Sequence, residues 1–149
     1  MNKITLILII IAVFSIGMLT AIVKSDVTWL TDMDEAAKIS KETQKPILID
    51  FTGSDWCGWC IKLDQEVFEK EAFKKYAKDN LVLVKLDFPS KIKQSEETKK
   101  HNEKWLEKYG VRGFPTILLV DHEFKVINQT GYQRGGAEAY VKHLRELLK

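Results

Sequence analysis

The chain has 149 residues, 45% hydrophobic and 30% charged, a balance that excludes a disordered chain and admits one domain plus an appendage. Its formal net charge is +2, and the only charged side chains before Asp26 are Lys3 and Lys24, so residues 26–149 are formally neutral. With no basic excess to neutralise phosphates, nucleic-acid binding is excluded.

The first element is a leader. Ile4 to Val23 is an uncharged, mostly apolar run. At about 1.5 Å per residue it matches a hydrocarbon core of roughly 30 Å, longer than the apolar centre of an ordinary signal peptide. Residues 1–25 are therefore expected to be a membrane anchor, with a signal peptide cut after Ser25 as the alternative. Both readings export residues 26–149 and leave Lys3 in the cytoplasm.

Asp26 to Leu30 is expected to form an edge strand. Thr31 or Asp32 then caps a helix through Ala36, Ala37 and Ile39 to about Thr43, and Pro46 ends that segment. Ile47 to Thr52 is apolar except for Asp50 and Thr52, as a buried parallel strand should be. Gly53-Ser54-Asp55 is a loop. A helix starts at about Cys57 or Gly58, bends near Val67 and Phe68, and resumes through Ala72, Phe73, Tyr76 and Ala77. Leu81 to Leu86 is a second buried strand, closed by Pro89. Residues 90–109 read as an amphipathic helix, its Lys/Glu run a solvated face. Thr116 to Val120 is a third strand, turned at Asp121-His122-Glu123 into Phe124 to Asn128. Gly131 marks a bulge or turn. Ala137, Tyr140, Val141, Leu144, Leu147 and Leu148 recur at helical spacing in the last element. Alternating strands and helices followed by a hairpin give an α/β fold with a mixed sheet.

The only two cysteines are Cys57 and Cys60. At this spacing they can close a small ring or stay open as a dithiol, and CxxC at a strand-to-helix junction reads as a redox motif. No other cysteine exists to pair with, so the pair does not staple distant parts of the fold. The thiolate is the working form, and a free cysteine has a pKa of about 8.5. A helix start points free N–H groups at the Cys57 sulfur, while Cys60 lies beneath it in the first turn. Cys57 is thus the expected attacking sulfur and Cys60 the resolving one.

Motifs in fixed order add to this. Asp50-Phe51, Trp56-Cys57-Gly58-Trp59-Cys60, Val84-Lys85-Leu86-Asp87, the run from Lys108 to Thr116 and a glycine before the last helix resemble the thioredoxin family, and in particular its exported oxidoreductases. The resemblance spans nearly all of residues 29–149. It implies a three-layer thioredoxin-like fold with a central mixed sheet flanked by helices. It maps the family's nucleophilic cysteine onto Cys57 and the resolving one onto Cys60. It also implies a cis-proline at Pro115, placing Phe114 beside the sulfurs to pair with substrate. Asp50 matches the family's buried acid, expected to have a raised pKa and to accept the Cys60 proton. Lys85 matches a lysine near that acid. The structural alternatives are a strand-initiating Pro115, a hydrogen-bonded strand-end Asp50 and a snorkelling Lys85. The chain departs from thioredoxin in one extra residue between Asp50 and Cys57, in Trp59 where thioredoxin has proline, and in a longer segment between Lys85 and Tyr109.

Gly58-Trp59 offers no imidazole to stabilise a thiolate, Asp55 would disfavour one if close, and Lys62 lies around the helical turn. These features favour a reductase of disulfides in exported proteins, with a disulfide oxidase or isomerase as the alternative. Trp59 is a candidate substrate platform or a lid on its own domain, and Trp56 a candidate substrate contact that also shields the sulfurs. The resemblance implies no bound cofactor beyond the redox-active disulfide, a membrane electron donor of the DsbD type, and a monomer in the periplasm, soluble or tethered by residues 4–23. The rival readings are a metal-binding protein and a non-catalytic peptide-binding module. His101, His122 and His143 are scattered, and two thiolates fall short of a four-ligand zinc site.

Overall fold

The computed structural model describes residues 26–149. The expected leader lies outside the described residues, among which no helix is long and apolar enough to cross a membrane.

The elements run β1 (Trp29–Leu30), α1 (Met33–Thr43), β2 (Ile47–Thr52), α2 (Gly58–Leu63), a π-helical turn (Asp64–Phe68), α3 (Glu71–Asn80), β3 (Val82–Asp87), α4 (Glu96–Tyr109), β4 (Thr116–Val120), β5 (Val126–Thr130) and α5 (Gly136–Leu147). The five-stranded sheet has the order β1-β3-β2-β4-β5. Strands β1 and β2 run parallel to β3, and β4 runs antiparallel to β2 and β5. Every residue of β2 is buried, as the central strand of a covered sheet requires.

Side-chain alternation along β2 sorts the core into two layers. Ile47, Ile49 and Phe51 meet Met33 and Ala36 of α1 and Trp105 of α4 on one face. Leu48 meets Leu63, Val67, Phe68, Phe73, Tyr140 and Leu144 on the other. Asp50 shares the second face, so the acid lies under the layer that carries the cysteines.

Three boundaries differ from the sequence expectation. The edge strand shrinks to Trp29–Leu30, since only these residues register with Leu83 and Val84 of β3. The helix expected over 90–109 begins at Glu96, where the Ser95 hydroxyl accepts the Thr98 N–H. The hairpin strand starts at Val126 rather than Phe124, because Phe124 has φ 65° and the turn closes through Asp121 N–H to the Lys125 carbonyl. The expected bend near Val67 is the π-helical turn, followed by a fresh start at Glu71.

Candidate active site

The chain leaves β2 at Thr52 and turns at once. Gly53 accepts the Cys57 N–H at 2.9 Å and the Trp56 N–H at 3.3 Å through its carbonyl. Glycine is required here, since a Cβ at this position would lie 2.5 Å from the Trp56 indole. The indole Nε1 donates to the Phe88 carbonyl at 2.8 Å, and Ser54 is held by both carboxylate oxygens of Asp87. The turn is thereby fastened to the end of β3 before the helix begins.

Cys57 is the N-cap of α2, with extended backbone at φ −82° and ψ 100°, and its Sγ accepts the Cys60 N–H at 3.2 Å. It is joined to Cys60 in a disulfide. Cys57 is 7% exposed and Cys60 2%. Both sulfurs are buried, with Cys60 the deeper, and the helix's first turn contains no acid.

The Asp55 carboxylate is committed to backbone donors of the segment after β3. It accepts the N–H groups of Ser90, Lys91 and Ile92, at 2.8, 2.6 and 2.9 Å. The Ser90 bond first, with the Lys91 and Ile92 bonds, holds its pKa below the usual carboxylate value. Asp55 thus clamps the extra segment after β3 beside the active-site turn. Asp55→Ala is expected to speed amide exchange at Ser90 to Ile92 by roughly tenfold while leaving β2 amides unchanged, as hydrogen-exchange NMR would show.

Asp50 is 1% exposed, and its Oδ1 has no hydrogen-bond partner among the described residues. Burial pushes its pKa up to about 7, against the pull of Lys85, with Asp64 and Asp87 pushing the same way as burial. Asp50 and Lys85 are register partners across β2 and β3, and their charged atoms stand 3.9 Å apart. The closer partner of Lys85 is Asp64, both of whose oxygens accept from Nζ, at 2.9 and 3.0 Å. The lysine does not reach into solvent alone; it is held between two acids and 5.0 Å from the Trp29 ring centre.

The peptide bond between Phe114 and Pro115 is cis. Phe114 stacks on Phe88 at 5.2 Å and meets Trp56 edge-on at 5.9 Å. Trp56 and Trp59 are both about half exposed, at 51% and 52%. Trp59 leans on Tyr132 at 5.1 Å, with Lys62 5.4 Å from its ring centre. Trp59, Phe114, Pro115, Tyr132, Gln133 and Arg134 line an open groove of about 570 Å³.

The structure therefore gathers Asp50 and Lys85 beneath the CxxC helix, and Trp59, Phe114 and Pro115 around one groove, with Trp56 against Phe114 on its flank. Asp64 was missed by sequence reasoning, although its position four residues after Cys60 places it on the same helical side. Tyr132 and Arg134 were missed too, since a loop after an edge strand has no periodicity to read. Among the described residues no group of three or more His, Cys, Asp or Glu side chains could hold a metal. His143 bonds Thr130 at 2.8 Å.

A disulfide spanning one helical turn can gain two electrons and open to a dithiol, and that dithiol can close again and release them. Mounted at the end of a central strand beside a cis-proline, it defines the class: a thioredoxin-fold thiol:disulfide oxidoreductase. The chain belongs to the thioredoxin-like domain family, which it matches over residues 33–147. It is 41% identical over 115 residues to the disulfide bond reductase DsbH of Chlamydia pneumoniae, spanning 77% of this chain and 69% of that one. The structure of a DsbH oxidoreductase superposes with a TM-score of 0.82 at 36% identity, covering 89% of this chain and 92% of the other. The thioredoxin-related protein DsbJ of Chlamydia pneumoniae is 30% identical over 130 residues, 83% of this chain and 37% of its own length.

Proposed function

We propose that the protein is a reductase of disulfides in exported proteins, with Cys57 as nucleophile and Cys60 as resolving thiol. Reduced Cys57 attacks one sulfur of a substrate disulfide. A mixed disulfide forms and the other substrate sulfur leaves as a thiolate. Cys60 gives its proton to the Asp50 carboxylate and attacks Cys57. The Cys57–Cys60 disulfide forms and the second substrate thiolate is released, so two electrons pass from the dithiol to the substrate. The backbone at Phe114 pairs with the extended substrate beside Pro115, and Trp56 and Trp59 flank it. A membrane carrier of the DsbD type restores the dithiol. The apolar run from Ile4 to Val23 delivers the domain to the periplasm as an anchor or a cleaved leader.

The observation that carries the reductase direction is the Gly58-Trp59 pair, which puts no imidazole between the cysteines. The Cys57 Sγ accepts the Cys60 N–H at 3.2 Å. With no imidazole there to stabilise a thiolate, the disulfide form is favoured, which makes the dithiol a strong reductant. The likeness to a protein named for disulfide bond reduction supports the same direction.

Equilibration of the dithiol with glutathione buffers tests it. The expected potential lies near the thioredoxin value of about −270 mV; one near the DsbA value of about −120 mV would overturn the assignment in favour of an oxidase.

A further inference from the structure

The groove beside the disulfide has an uneven charge. One wall is aromatic: Trp59, Tyr132 and Phe114, with Pro115 at its floor. At about 570 Å³ it lies within the roughly 300–1,000 Å³ range of ligand-binding clefts. Its charged neighbours are few. Lys62 lies 5.6 Å from the Tyr132 ring centre and pairs with Glu66 at 3.7 Å. Glu66 also accepts the Tyr132 hydroxyl at 2.6 Å, fixing that ring against Trp59. Lys62 and Glu66 therefore offset each other. Arg134 lines the groove and is exposed, and it has no ion pair with any described carboxylate.

This leaves one uncompensated guanidinium at the rim of an aromatic groove. A guanidinium is always charged and presents a planar fork of donors that fits a carboxylate. An extended peptide places neighbouring side chains on opposite faces, so a residue on the aromatic wall and a residue at the rim can be engaged together. We propose that Arg134 is a specificity-determining residue that selects substrate segments presenting an acidic side chain to it and an apolar one to Trp59 and Tyr132. The proposal rests on the reductase reading of the same site. The occupant is a segment of a disulfide-bonded protein that carries Asp or Glu close to the attacked cysteine.

The test uses the full chain in detergent, reduced beforehand, and two disulfide-bridged peptides differing only in Glu or Lys two residues from one cysteine. The reduced wild-type chain is expected to react with the Glu peptide with a second-order rate constant about fivefold above that for the Lys peptide at low salt, the scale of a solvated ion pair. That ratio should shrink as ionic strength rises past about 0.15 M, where the Debye length is about 8 Å. Arg134→Gln should bring the ratio to about one, Arg134→Glu should invert it, and Arg134→Lys should retain part of it. The dithiol potential should be the same in all four proteins. A wild-type ratio of one at low salt, or a preference that survives Arg134→Glu, overturns the selectivity. A wild-type chain that reduces neither peptide, while its dithiol is intact by thiol titration, instead overturns the reductase reading beneath it.

Discussion

Cys60→Ser is expected to arrest the protein as a mixed disulfide held through Cys57, and Cys57→Ser is expected to abolish capture altogether. The reason is the unequal placement of the two sulfurs. Cys57 sits at the helix N-cap, where its Sγ accepts a backbone N–H, and is 7% exposed. Cys60 is 2% exposed, one turn below. An incoming disulfide meets the upper sulfur first. The lower sulfur can complete the exchange only from within, by attacking Cys57. Removing it leaves the first step intact and stops the second, so the covalent adduct accumulates. Turnover should fall on the order of 10³-fold or more in either variant, the scale on which a covalent nucleophile is missed. Non-reducing electrophoresis with mass mapping of the trapped peptide reads the outcome. Trapping through Cys60 in the Cys57→Ser variant would reverse the assigned roles.

Asp50→Asn is expected to raise stability and lower activity at once, and the two effects share one cause. Burial raises the Asp50 pKa from 3.8 to about 7. Below pH 3.8 the folded and unfolded chains both carry the proton, and the carboxyl costs nothing on this account. Between pH 3.8 and about 7 the unfolded chain ionises while the folded one keeps its proton, so stability falls steadily as pH rises. Above pH 7 the full loss, on the order of 4 kcal/mol, is in place. An uncharged asparagine has no such loss. The variant's gain in urea midpoint should be absent near pH 3, grow to about pH 7 and then level off. Against that gain, the Cys60 proton would lose the acceptor proposed for it. Resolution of a preformed mixed disulfide should slow on the order of 10²-fold, the low end for a general base. Its rise with pH through about 7 should disappear. A variant that is more stable but resolves at the wild-type rate would make Asp50 a structural acid only.

The position of Lys85 explains why this carboxyl is not simply neutralised by a salt bridge. The ammonium lies 3.9 Å from Asp50 but binds both oxygens of Asp64 at 2.9 and 3.0 Å. One cation shared between two acids lowers the buried pKa less than a dedicated partner would. The family resemblance implied the Asp50–Lys85 neighbourhood, and the register of β2 on β3 places the two side by side. Asp64 was not among the expected residues; it binds Lys85 from the first position of the π-helical turn.

Local pattern was enough to determine the redox chemistry and the element order. The cysteines are two residues apart at the end of an apolar run, and apolar periodicity marks the strands and helices without long-range information. The boundaries set by turn geometry were not legible: the late start of α4 at Glu96 and the shift of β5 to Val126 depend on the Ser95 cap and on the positive φ of Phe124. Asp55 shows the limit most plainly. Two residues from Cys57 in sequence, it reads as a charge on the thiolate, yet its carboxylate is spent on three N–H groups of a loop 35 to 37 residues away. Sequence by itself determined that this chain carries one dithiol at a helix start on an α/β scaffold, because spacing and periodicity are local properties. The family resemblance anticipated Asp50, Lys85 and a cis-Pro115 near that dithiol, and the tertiary structure alone decided the rest of its surroundings: Asp64 as the closer partner of Lys85, and Tyr132 and Arg134 in the groove with Trp59, Phe114 and Pro115. Those groups come from separate elements, and only the closure of the sheet brings them together.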